Sequence, residues 1–182
     1  MLKASDNPPL TWPEGAVISS FAGTWWVAHT KSRNEKALAQ DLIARNISYF
    51  LPMTWHLRVQ KGRKLRVLLP LFSGYLFFCG DENHRLQTLQ TNRVAGIIEV
   101  ADQQKLLRQL QQIEQAILAG APLEPHAHIK EGQKCRVKAG SLLGLQGIVV
   151  KAKNRSRLVL QVDMLGQAAS VEIDTDLLEV ID

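Results

Sequence analysis

Leu71-Phe72-Ser73-Gly74-Tyr75-Leu76-Phe77-Phe78 is too apolar for a solvated edge and reads as the central strand of a sheet. On its N-terminal side, Leu57 to Val67 alternates roughly between apolar and polar about Lys61-Gly62, the pattern of a projecting hairpin, with five basic residues and no acidic one. Ile47 to Leu51, closed by Pro52, is a further strand. Trp25 to Thr30 is apolar and aromatic and runs into Ser32-Arg33-Asn34-Glu35, where Ser32 can cap a helix and Glu35 can reach back to complete a capping box. In that helix Leu38, Ala39, Leu42 and Ile43 share one arc, as expected of a helix covering one face of a sheet. On the C-terminal side follow a short helix over Glu82 to Leu89, a strand over Val94 to Val100, and a helix capped by Asp102. That helix carries Leu106, Leu110, Ile113 and Ile117 at spacings of four, three and four, and ends at Gly120 before Pro122. Residues 24–120 are therefore predicted to form an α/β sandwich, an antiparallel sheet flanked by helices.

Beyond this block the pattern changes. Residues 1–23 hold Asn7-Pro8-Pro9 and Trp12-Pro13-Glu14-Gly15 without sustained periodicity, which predicts a flexible leader. Residues 121–129, with Pro122, Pro125, His126 and His128, read as a linker. Residues 130–182 hold only short alternating runs around Cys135, Leu158 and Val171, separated by turn residues at Gly140, Gly144, Gly147, Asn154 and Gly166. Five such strands bury too little as an open sheet, so the expectation is a small closed β-barrel and an α+β chain overall.

The 182 residues, 46% hydrophobic and 21% charged, can fill packed cores and are too few for a large multidomain enzyme. Net charge is +5, and the surplus sits in residues 25–120. Cys79 and Cys135 stand too far apart, in strand-like segments, for a disulfide scaffold or a metal site, and they fit a reducing compartment. No run of about 18 apolar residues and no secretory leader is present, so no membrane partner is expected and the cytoplasm is the default location. His29, His56, His84, His126 and His128 lack metalloprotease spacing, and GxSxG, GxxxxGK[ST] and GxGxxG are absent. The expectation is no catalytic residue, no metal and no cofactor.

Two readings compete at each remaining feature. The hairpin cations Arg58, Lys61, Arg63, Lys64 and Arg66 either protect an edge or reach toward a phosphate backbone. The rings Trp25, Trp26, Phe50, Phe72, Tyr75, Phe77 and Phe78 are core by default, yet under 100 residues cannot hide seven of them completely, so some are expected to line a protein-binding depression. In residues 130–182 bases precede position 158 and acids follow it, which favours opposite charges paired across neighbouring strands over two binding faces.

Glu131-Gly132-Gln133-Lys134-Cys135-Arg136-Val137-Lys138-Ala139-Gly140, continuing to Leu145-Gln146-Gly147-Ile148-Val149, resembles a KOW motif, with Gly147 where tight backbone geometry favours glycine. Arg157 to Val162, Met164-Leu165-Gly166-Gln167 and Ser170 to Ile173 resemble the rest of the C-terminal barrel of the NusG family. Trp25-Trp26-Val27 and Leu71 to Phe77 resemble its N-terminal (NGN) domain. Phe50-Leu51-Pro52-Met53, the basic hairpin and Pro70-Leu71-Phe72 are most similar to the specialised RfaH-type branch. The resemblance implies an NGN domain over 24–120 followed by a five-stranded SH3-like KOW barrel over 130–182.

It also implies a non-enzymatic, monomeric factor that binds bacterial RNA polymerase during elongation, suppresses pausing and promotes antitermination at particular operons.

 Carried over by position, Trp26, His29, Phe50, Phe72, Tyr75 and Phe77 form or support the apolar polymerase-binding depression. Lys31 matches one contact to the non-template DNA strand, and Asn92-Arg93 match another pair once one residue is inserted just before them; a position that is histidine in RfaH is Asp41 here, so the cognate DNA element is expected to differ. In the partner-binding loops of the KOW domain, usual aromatics are replaced by Leu142, Leu145 and Leu165 and a usual arginine by Gln167, which implies weak binding of termination factor Rho. Ribosomal protein S10 remains a partner for the same loops. The alternatives are a KOW-type RNA- or ribosome-binding module, with nascent RNA gripped by the hairpin and by Lys134, Arg136 and Lys138, and a housekeeping NusG.

Overall fold

The computed structural model describes residues 6–129, 132–152 and 155–181. Glu131, the first residue of the KOW-like motif, and the turn residue Asn154 lie outside the described residues. The chain divides into two compact units, Met1–Gln103 and Gln104–Asp182.

The first unit runs β1 (Thr11–Trp12), β2 (Thr24–Thr30), α1 (Glu35–Ala44), β3 (Ser48–Phe50), β4 (Met53–Gln60), β5 (Arg63–Pro70), β6 (Tyr75–Gly80), α2 (Glu82–Gln90) and β7 (Val94–Glu99). Its antiparallel five-stranded sheet has the order β1-β3-β6-β2-β7, with β4 and β5 as a separate two-stranded hairpin. The strand read as central from Tyr75 onward does lie at the centre, between β3 and β2. Strand alternation sorts the side chains into two faces. Trp26, Ala28, Tyr49, Leu76, Phe78 and Ile97 pack with Leu38, Ala39 and Leu42 of α1. Val27, Phe50 and Phe77 occupy one cross-strand row of the opposite face.

Residues 1–23 read from the sequence as a flexible leader, whereas the described part is tied into this unit. Thr11 and Trp12 pair with Phe50 and Tyr49. Ile18 is fully buried, and the Tyr49 hydroxyl donates to the Pro9 carbonyl at 2.8 Å. The signal was missed because two paired residues and one buried isoleucine make no periodic pattern. The capping box of Ser32 and Glu35 does not form either. Arg33 takes a left-handed φ of 58°, the cap is Asn34 without a side-chain bond, and the Glu35 carboxylate turns elsewhere. The capping box falls instead on α2, where Asp81 and His84 bond each other's backbone N–H.

α3 (Gln103–Leu118) begins on the last residue of the first unit and otherwise belongs to the second. Leu106, Leu110, Ile113 and Ala116 are buried, and the turn after it closes with Gly120 at φ 75°. β8 (Glu124–Ala127), β9 (Gln133–Val137), β10 (Gln146–Ala152), β11 (Arg155–Val162), β12 (Gln167–Ile173) and β13 (Leu178–Val180) form one antiparallel sheet in the order β13-β9-β10-β11-β12-β8.

This corrects two expectations. The predicted linker 121–129 contains β8, and the predicted five-stranded closed barrel is a six-stranded sheet that does not close. β8 takes the free edge of β12, with Pro125 opposite Ala169, and a proline without an N–H suits an edge where the ladder stops. The other edge, β13, is three residues long, which is a second way to protect an open edge. The sheet interior is as the alternation predicts: Cys135, Val137, Leu158, Leu160, Val162, Val171 and Ile173 are buried. At Gly147 a Cβ would run into the Val159 carbonyl oxygen, so glycine is required there by close strand approach.

Candidate functional site

The six residues expected to form an apolar depression do not share a face. Trp26 stacks on Phe78 with centroids 5.5 Å apart, in the cluster under α1. The alternation of β2 and β6 puts His29, Tyr75 and Phe77 on the other side, where Phe50 also lies. Phe77 contacts Phe50 at 6.4 Å and Phe72 edge-on at 6.2 Å. His29 stacks on Tyr75 at 5.2 Å. Five of the six are thus contiguous. Phe50, Phe72 and Phe77 are buried, Tyr75 is half-buried and His29 is exposed.

The bend that aims Tyr75 is held from α1. The Gly74 N–H donates to Glu35 Oε1 at 2.6 Å, and the Thr30 N–H donates to the Gly74 carbonyl at 2.8 Å. Gly74 has φ 86°, where a side chain would be strained. Glu35 is itself buried, so its bond to a backbone donor is charge-assisted in a poorly solvated place. Sequence reasoning assigned this glutamate to a cap, and nothing local in the sequence marks its true partner 39 positions away.

A polar patch forms where β2 ends and β7 begins. Lys31 Nζ donates to Asn92 Oδ1 at 2.7 Å, and the Lys31 N–H donates to the Arg93 carbonyl at 2.8 Å. Arg93 Nε bonds Asp41 Oδ2 at 3.0 Å, and its Nη1 bonds Asn34 Oδ1 at 3.3 Å. Lys31, Asn92 and Arg93, singled out separately in the sequence, therefore belong to one constellation, and Asp41 and Asn34 complete it. Asp41 holds one edge of the guanidinium and partly cancels its charge.

The hairpin turns at Lys61-Gly62, both at positive φ, as a two-residue turn demands. Arg58, Lys61, Arg63, Lys64 and Arg66 are all exposed. Its base is fixed by Lys36 of α1, whose Nζ donates to the Leu68 carbonyl at 2.5 Å and to Asn7 Oδ1 at 2.6 Å. Burial lowers the Lys36 pKa, against the opposing effect of Glu35.

In the second unit the residues expected in partner-binding loops separate. Leu145 is fully buried, and its N–H donates to the Leu142 carbonyl. Leu142, Leu165 and Gln167 are half-buried, and Gln167 lies in β12 between Val162 and Ala127. Within those loops Leu143 and Met164 are exposed, and sequence reasoning did not single them out as contacts. Opposite charges pair across strands, as expected. Arg136 Nε bonds Glu179 at 2.7 Å, and Arg157 bonds both Glu124 and Glu172. Glutamines of α3 bond backbone groups: Gln112 both donates to and accepts from Gln146, and Gln115 donates to the Leu143 carbonyl. Lys105 bonds Asp163 at 2.8 Å and, with weaker help from His128 and Gln109, lowers the Asp163 pKa against its partial burial.

Among the described residues no three His, Cys, Asp or Glu side chains gather as metal ligands, and no helix is long and apolar enough to cross a membrane. Burial pushes the Cys79 thiol up to about 11, so it is a poor nucleophile at neutral pH.

No curated protein matches the chain. A solved structure described as "Domain interaction in Thermotoga maritima NusG" is similar, with a TM-score of 0.47 and 16% identity over 87% of this chain and 97% of that one. The family model described as transcription termination factor NusG matches residues 23–118, more than half of the sequence. The chain belongs to the NusG family of transcription factors.

Proposed function

We infer that this is a specialised, RfaH-type member of its family, which binds bacterial RNA polymerase during elongation, suppresses pausing and promotes antitermination at particular operons. In this reading residues 24–120 serve as the NGN domain, with the described strands of residues 130–182 serving as the KOW domain. The observation that carries the reading is the contiguous set His29, Phe50, Phe72, Tyr75 and Phe77 on the sheet face opposite α1. Tyr75 and His29 supply its accessible rim, and Trp26 supports the sheet from behind. Lys31, Asn92 and Arg93 form one patch suited to a phosphate backbone, and the hairpin cations extend the positive field toward the non-template strand or nascent RNA. Leu142, Leu165, Gln167 and the neighbouring exposed Leu143 are the contacts offered to S10, and the lack of aromatic anchors there makes Rho binding weak.

The experiment is single-round transcription by the cognate polymerase across a pause and a terminator. Faster pause escape or more read-through is the expected result. No effect on several templates, including ones from the gene's own neighbourhood, overturns the elongation reading in favour of an RNA- or ribosome-binding module.

A further inference from the structure

We propose that one face of the β4–β5 hairpin is a platform for unpaired nucleic acid, with bases laid on Trp55, Leu57 and Val59 and phosphates on Lys64 and Arg66. The proposal deepens the nucleic-acid part of the function inferred above, because it distinguishes a single strand from a duplex and names apolar residues as contacts.

The register of the hairpin defines the face. Trp55 lies opposite Leu68, Leu57 opposite Arg66 and Val59 opposite Lys64, so these six side chains project together. Two successive rungs each set one apolar side chain beside one cation. Leu57 and Val59 are 71% and 72% exposed and Trp55 is 50% exposed, a row of large apolar groups that a hairpin built only for solubility would not display. Arg66 lies with its guanidinium 5.1 Å from the Trp55 ring centroid, which holds the indole in place from one side. Residues along one face of a strand repeat every ~6.8 Å, comparable with the phosphate spacing of an extended single strand.

Charge selects the occupant. Residues 57–67 carry five cations and no carboxylate. Lys64 and Arg66 stand on this face, while the pairing puts Arg58 and Arg63 on the other face and Lys61 in the turn. The ligand that answers two cations set beside an apolar row, with no local anion, is a polyanion with an exposed aromatic face at each unit. Bases in a duplex are stacked on each other and cannot lie on Trp55, whereas single strands can, and base–aromatic stacking with cationic tracking of the backbone is the general mode for them.

The test uses the full chain and fluorescence anisotropy with a labelled twelve-residue oligo-dT and a twelve-base-pair duplex, at low and moderate salt. Trp55→Ala is expected to weaken oligo-dT binding about 5- to 150-fold, with Trp55→Phe retaining most of the affinity and duplex binding unchanged. Leu57→Ser, on a rung exposed enough to leave the fold intact, should weaken it in the same direction. The double variant Lys64→Gln, Arg66→Gln should weaken both ligands and flatten the salt dependence of oligo-dT binding by about 1.4 in the log–log slope. Equal oligo-dT affinity in Trp55→Ala and the parent, or no preference for oligo-dT over duplex, overturns the proposal. So does absence of oligo-dT binding combined with loss of polymerase retention in Trp55→Ala, which identifies a protein as the occupant. Oligonucleotide binding is measured without polymerase, so this result and the transcription assay succeed or fail separately.

Discussion

Glu35 Oε1 accepts the Gly74 N–H at 2.6 Å, and through that bond the first turn of α1 fixes the bend from which Tyr75 and Phe77 depart. Glu35 is buried and the bond lies in partly buried surroundings, so losing the acceptor leaves a poorly solvated donor as well as a bond broken. Glu35→Ala is expected to cost about 1–3 kcal/mol, read as a lower melting temperature, and to weaken polymerase binding. Glu35→Gln, which keeps an oxygen in place, should retain most of both. Unchanged melting in the alanine variant refutes the assignment of this clamp.

Phe77 and Tyr75 are two residues apart on the same strand face, yet they predict different phenotypes. Phe77 is fully buried between Phe50 and Phe72, and Phe77→Ala should destabilise the fold by about 3–5 kcal/mol. Tyr75 is half-buried against the exposed His29, so Tyr75→Ala should melt close to the parent while losing affinity for the polymerase. A folded Tyr75→Ala variant with full pause suppression would remove the rim from the binding surface.

The features legible in the sequence are those written in local periodicity. The apolar run through Phe78 marked the central strand, the Leu106 stripe marked α3, and the alternation around Lys61-Gly62 marked the hairpin, because each signal repeats within a few residues. What was not legible depends on long-range placement. The side of the sheet to which Trp26 points depends on strand phase, which a run of consecutive apolar residues does not reveal. β8 was hidden because its four residues, Glu-Pro-His-Ala, acquire strand conformation from pairing with β12 rather than from their own propensity. The meeting of Lys31, Asp41 and Arg93 likewise needed the pairing of β2 with β7.

Asp41 restrains Arg93 in a partly exposed ion pair. Such pairs contribute roughly 0–1 kcal/mol to stability, so Asp41→Asn should leave the melting temperature nearly unchanged. It removes a negative charge from beside Arg93, and DNA affinity should rise with a steeper dependence on salt. Arg93→Gln should lower affinity. If neither variant alters oligonucleotide binding by anisotropy, the patch has no role in binding nucleic acid.

Leu143 and Leu145 separate surface from core in the loop before β10. Leu145→Ala removes a fully buried side chain and should cost about 2–5 kcal/mol. Leu143→Ala should cost under about 0.5 kcal/mol, because Leu143 is 58% exposed. Of the two, only Leu143→Ala can report on S10 binding in a folded protein, and titration calorimetry against S10 should show weaker binding. Identical heats for Leu143→Ala and the parent would exclude that loop as the contact.

Asp163 gives the second unit a sensitivity to acid. Its carboxylate accepts from Lys105, with His128 and Gln109 adding further bonds, and its folded pKa lies below the ordinary aspartate value. A depressed folded pKa means that the ionised form is the one the fold favours. The stabilisation is therefore present above the unfolded-state pKa near 3.9 and is lost as pH falls through the lower folded value. Asp163→Asn removes the titrating group, so the variant should melt below the parent at pH 7 and the gap should narrow as pH falls below about 4. Lys105→Met should show the same convergence, since the lysine is the largest cause of the shift. Melting curves from pH 7 to 3 that stay parallel for parent and Asp163→Asn would show that this carboxylate does not set the acid response.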